Sequence, residues 1–162
     1  MLVVIRFLHL LFAFTWFAAL FAAHWNTLQA RRASGWAARA TLLGVNRGLS
    51  ALVALPSLLG LGLLGNLLAI QIGYRMRDTP LFVVTNALWA LLVVITLAME
   101  MPATGALGAL AVAAADAETR GGQGVPGGWE RELKRWRVAN ALQLLFYLVL
   151  LALMVSPWGV RR

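Results

Sequence analysis

Four long apolar stretches carry almost all the hydrophobic mass of the chain, and each is long enough to cross a bilayer. They run Leu2–Trp25, Leu49–Ile72, Pro80–Met101 and Val138–Trp158. A crossing helix needs about 20 predominantly apolar residues at about 1.5 Å each. The chain is therefore expected to be all-α and polytopic, a bundle of four transmembrane helices. Four spans in 162 residues leave no room for a separate soluble domain, so a single membrane domain, 1–162, is expected. A composition that is 61% hydrophobic excludes an ordinary water-soluble fold. The first span resembles a signal anchor, but it is longer than a signal-peptide core and lacks a small-residue cleavage site. It is expected to be retained.

A net charge of +8 raises nucleic acid as a partner, but the position of the charge argues against it. The basic residues sit in short connections beside apolar spans, where they anchor helices against anionic lipid. Arg31, Arg32, Arg39 and Arg47 lie in the first connection, and Arg120, Arg131, Lys134, Arg135 and Arg137 in the third. Those two loops share a side. The opposite side has Arg6, Arg75, Arg77, Arg161 and Arg162. Basic loops stay cytoplasmic. Nine against five therefore places both termini outside, periplasmic if the membrane is a bacterial inner membrane.

Local signals divide the chain further. The basic segment Gln29–Thr41, with Trp36 in it, reads as a short helix on the membrane surface. Pro56 should kink the second span, and Gly60, Gly62 and Gly65 should let helices approach closely. Gly44 and Gly48 have GxxxG spacing at the membrane edge. Asp78, Thr79 and Pro80 form a helix start. The third span is expected to stop at Pro102, with Ala103–Thr119 following as an interfacial helix. Residues 121–128 hold five glycines and Pro126 and read as a flexible loop, after which Trp129–Arg137 restarts a helix.

Few residues can carry chemistry. There is no cysteine, so disulfides, cysteine-ligated iron–sulfur clusters and covalent c-type haem are excluded within the chain. His9 and His24 are the only histidines. They lie on the first span roughly 22 Å apart along the axis and about 60° apart in direction. They cannot share one metal, but each could serve a haem near one leaflet. A partner subunit or a methionine such as Met99 or Met101 would complete each site. His9 is an ionisable group inside a span, a functional candidate by default. Its alternative is a neutral imidazole bonded to a neighbouring helix. His24 lies beside Trp25, where an interfacial anchor is the simpler reading. Trp16 falls about 20° from His9 and could stack on a macrocycle or pack in the core. Asn66, Asn86, Asn140 and Gln143 read as interhelical hydrogen-bond partners. Glu100, at the foot of the third span, could relay protons or meet an arginine or headgroup at the interface. Arg135 and Arg137 could hold an anionic headgroup or act as solvated anchors. No P-loop, GxSxG or HExxH motif is present.

Two stretches carry a family resemblance. Leu8–Phe21, LHLLFAFTWFAALF, has a histidine followed seven residues later by tryptophan and a small-residue patch. Trp136–Trp158 has W-R-x-x-N ahead of the last span and MVSPW after it. Together they resemble the group of small four-span membrane proteins that holds the HemJ-type protoporphyrinogen oxidases and the CopD copper-resistance proteins, and most closely its uncharacterised members. The resemblance implies that His9 matches the first-helix histidine associated with haem binding. HemJ-type proteins also use a lysine in the third span, and Pro80–Met101 has none. CopD-type proteins carry more methionine and histidine ligands than this chain offers.

The leading expectation is a non-catalytic subunit or scaffold of a larger membrane assembly of the redox or electron-transfer kind, in contact with lipid and other membrane subunits. The alternatives are a haem b protein using His9, with Trp16 and His24 as further cofactor contacts, and a transporter for copper or a small solute.

Overall fold

The structure, a computed structural model, describes residues 1–73, 80–122 and 124–155. Every described element is helical: α1 (Leu2–Arg32), α2 (Trp36–Gly48), α3 (Leu55–Gln71), α4 (Pro80–Ile95), α5 (Met101–Thr119) and α6 (Trp129–Val155). Two π-helical segments join them. The first, Leu49–Ala54, splices α2 to α3, and the second, Thr96–Glu100, splices α4 to α5. The outcome is four long helices, each long and apolar enough to cross a membrane: Leu2–Arg32, Trp36–Gln71, Pro80–Thr119 and Trp129–Leu153. The expected all-α bundle of four membrane helices is the fold.

Two expectations need correction. The third helix does not stop at Pro102, and Ala103–Thr119 is not a separate interfacial helix; the helix runs on to Thr119. Proline lacks an N–H, so the carbonyl of Ala98, one turn earlier, loses its usual donor. Arg135 of α6 replaces it, donating from Nη2 to that carbonyl at 2.6 Å. Likewise Gln29–Thr41 is not one surface helix. Its first residues belong to α1 and its last to α2, which continues directly into the second span. The turn between them is closed by Arg39, which donates from Nε and Nη2 to the Ala33 carbonyl at 3.2 and 3.0 Å. The same guanidinium lies 4.4 Å over the Trp36 ring. Glu118 caps α2 from a distance, its Oε2 accepting the Trp36 N–H at 2.9 Å. At the end of α5 a glycine is required. Gly121 has φ 81°, and the N–H groups of Gly121 and Gly122 bond back to Glu118 and Ala117. The helix start expected at Asp78–Thr79 and the end of span four at Ser156–Trp158 lie outside the described residues.

Helices of 36 and 40 residues span roughly 54 and 60 Å, well beyond a hydrocarbon core of about 30 Å. The surplus lies at the end of the bundle that holds the turns 33–35 and 120–128, where Arg31, Arg32, Arg39, Arg120, Arg131 and Lys134 stand in or beside the turns. Buried positions on α6 (Trp129, Glu132, Leu133, Trp136, Ala139, Asn140, Gln143, Leu150) repeat at three- and four-residue steps, the spacing of one inward stripe. Such stripes build two apolar cores. One, at the basic end, joins Ala23, Ala30, Trp36, Leu43, Leu107 and Trp136 with their neighbours. The other joins Trp16, Leu20, Leu58, Leu61, Leu92 and Leu150. Between the two, the inward positions turn polar.

The upper core owes its tightness to glycine. A Cβ on Gly60 would come within 3.0 Å of the Phe12 ring, and one on Gly62 would overlap the Trp89 indole. Gly44 and Gly48, by contrast, face no neighbour within 4 Å among the described residues, so their GxxxG spacing serves no close contact there.

Candidate functional site

The polar layer between the cores is a ring of separate hydrogen-bonded contacts that ties each of the four long helices to the next. The first and second helices meet at Asn46, whose Nδ2 donates to the Ala23 carbonyl at 3.0 Å and to Thr27 Oγ1 at 2.9 Å, while its Oδ1 accepts from Asn26 at 3.1 Å. Second and third meet where Ser50 Oγ donates to Glu100 Oε1 at 2.6 Å. Third and fourth meet where Gln143 Nε2 donates to Thr96 Oγ1 at 2.8 Å. The fourth returns to the first through Asn140, whose Oδ1 accepts from His24 Nδ1 at 3.0 Å. Each such interhelical bond contributes about 0.6–2 kcal/mol in a membrane bundle.

Glu100 is the centre of this layer. It ends the second π-segment, and Ser50 belongs to the first, so the two irregular turns touch through this one bond. π-turns inside α-helices occur frequently at functional sites. Glu100 is 3% exposed, and its Oε1 accepts a second bond, from Thr104 Oγ1 at 3.0 Å. Its Oε2 is buried with no hydrogen-bond partner among the described residues. The Oε1 of Gln143, a fully buried residue, is in the same condition. No lysine or arginine forms an ion pair with Glu100 among the described residues. The expected meeting with an arginine at the interface is therefore replaced by a buried, hydroxyl-bonded carboxyl.

The sequence-derived candidates sit elsewhere and apart. His9 lies in the upper region, its Nδ1 donating to the Leu61 carbonyl at 3.0 Å; the carbonyl only accepts, so Nδ1 carries the hydrogen. A Cβ on Gly65 would stand 3.0 Å from its Cε1. Trp16 is fully buried, packs edge-on against Tyr147 at 5.6 Å between centroids, and leaves Nε1 without a partner among the described residues. His24 joins the ring through Asn140 and lies 6.0 Å from the Trp136 ring, nearly parallel to it. Asn66 and Asn86 form the expected interhelical pair at 2.7 Å. Among the described residues no cluster of three His, Cys, Asp or Glu could hold a metal. Arg135, read as a headgroup ligand or solvated anchor, is exposed, donates to the Ala98 carbonyl and lies 3.8 Å from Glu132.

The sequence signal for Glu100 was present. No charged residue follows it until Asp116, so the apolar stretch does not end at Pro102. Compared with known proteins, the chain matches no family model, and no curated protein and no solved structure shows significant similarity to it. The resemblance to the HemJ and CopD group rests on the two sequence stretches alone.

Proposed function

We propose that this membrane protein binds and releases a positive ion at the intramembrane carboxyl of Glu100, in an ion-coupled transport or energy-coupling role. The observation that carries the reading is the buried, unpartnered Oε2 of Glu100 at the junction of two π-segments. An ionised carboxylate isolated from water and left unpaired is costly by several kcal/mol. A residue kept there needs a positive charge or a proton to accompany it. Ionisable groups at such positions mark ion paths and proton relays. The role suits a subunit of a larger membrane assembly, which would supply the driving force. The excess of basic residues on the first and third connections supports a bacterial inner membrane setting with periplasmic termini. The test is ion uptake by proteoliposomes under an imposed membrane potential. Wild type should take up protons or sodium, and Glu100→Gln should not; equal uptake by both would rule the reading out.

A second reading has its own observation. His9 donates Nδ1–H to a backbone carbonyl, the arrangement that orients most metal-ligating histidines and leaves Nε2 as the ligand atom. Haem b at His9 would give a sharp α band in a reduced-minus-oxidised spectrum that His9→Ala abolishes. A flat spectrum in protein purified from its native membrane would remove haem.

A further inference from the structure

Two orphaned oxygens in one layer point to one shared occupant. Glu100 lies between Thr96 and Thr104, each four residues away on the same helix face. Helical side chains lean toward the N-terminus, so Thr104 reaches Glu100 and Glu100 reaches over Thr96. The bonds follow that order: Thr104 and Ser50 both donate to Oε1, leaving Oε2 without a donor. Thr96 in turn is held by Gln143 Nε2, and the other end of that amide, Oε1, is the second orphan. Thr96 also donates its own hydroxyl to the Leu92 carbonyl at 2.8 Å, so it has no hydrogen to offer either oxygen. Both orphans are acceptors. They cannot satisfy each other, and each is open to a proton or a cation.

We propose that Glu100 Oε2 and Gln143 Oε1 are the two halves of one site for a single monovalent positive ion. That ion is a proton, carried on Oε2 and donated to the Gln143 oxygen, or a dehydrated alkali cation of sodium size bound by both oxygens. The inference rests on the role proposed for Glu100 and adds to it the partner residue and the charge of the ligand. A divalent ion is a poorer match, because Glu100 is the one carboxylate of the ring and would leave the ion's second charge buried and uncompensated. No bond to carbon forms or breaks; the ion enters and leaves with its charge.

The test is carbon-13 NMR of the full chain in lipid bilayers, with labelled glutamate and glutamine side chains. Glu100 is assigned by Glu100→Gln and Gln143 by Gln143→Leu. If the occupant is a proton, the Glu100 carboxyl and Gln143 amide carbons move together with pH at fixed sodium. If it is an alkali cation, they move together with sodium chloride at fixed pH, choline chloride holding the ionic strength. In either case Gln143→Leu should displace the Glu100 midpoint by about tenfold in ion concentration, the effect of one lost hydrogen bond. Thr96→Val, which unmoors Gln143 without touching Glu100, should displace it in the same direction, and it carries the test if Gln143→Leu does not assemble. A Gln143 carbon that stays fixed while Glu100 responds, or a midpoint unmoved in the variants, overturns the shared site and leaves the role of Glu100 standing. A Glu100 carbon that responds to neither ion in folded wild-type protein overturns that role as well.

Discussion

The bundle handles buried polar atoms differently in its glycine-packed upper region and in the ring between its cores. In the upper region most polar side chains close on partners, His9 on the Leu61 carbonyl, Trp89 Nε1 on the Leu58 carbonyl at 2.8 Å and Asn66 on Asn86, and the exception, the Trp16 indole N–H, is a donor that attracts no cation. In the ring, more deeply buried side chains leave the acceptors Glu100 Oε2 and Gln143 Oε1 unmatched among the described residues. A polar group that only glues helices should be satisfied, because an unmatched buried group costs about 1–3 kcal/mol. The upper pairs fit that role, whereas Glu100 and Gln143 carry a cost that binding would relieve.

The largest expected effect breaks the upper region. In Gly62→Ala the new methyl overlaps an indole pinned by its own hydrogen bond. Overpacking there should cost about 3 kcal/mol in reversible unfolding from mixed micelles; a variant as stable as wild type would mean that the glycine contact is loose. Asn46→Ala strikes the ring where it is saturated. It removes three hydrogen bonds between the first two helices and should cost about 2 kcal/mol by the same measurement. Glu100→Gln sharpens the contrast most. The amide oxygen can keep the Ser50 and Thr104 bonds, and no charge is left to bury. Stability should therefore rise by about 1 kcal/mol while ion uptake is lost. A loss of stability like that of Asn46→Ala would make Glu100 ordinary glue.

The spans were legible because each apolar run is as long as a bilayer is thick, and the polar residues Asn66, Asn86, Asn140 and Gln143 were legible as interhelical bonders by type. Their partners were not, since His24 and Asn140 are 116 residues apart and meet only when the fourth helix folds beside the first. The sequence sets the end of the third helix too early for a related reason. Pro102 ends a helix unless something replaces the missing donor, and that replacement, Arg135, comes from the following helix. That misreading moved Glu100 from the interior of a helix to its foot, and so hid the site. A sequence cue does exist for the two π-segments. Ser50 and Thr96 each stand six residues ahead of a proline, Pro56 and Pro102. Composition alone gave no reason to join the two positions.

The most direct measurement is a difference titration of wild type against Glu100→Gln in bilayers, counting the protons or sodium ions taken up per chain. One additional ion bound by wild type is the expected result. Superimposable curves across the whole range of pH and sodium concentration would contradict an ion site at Glu100.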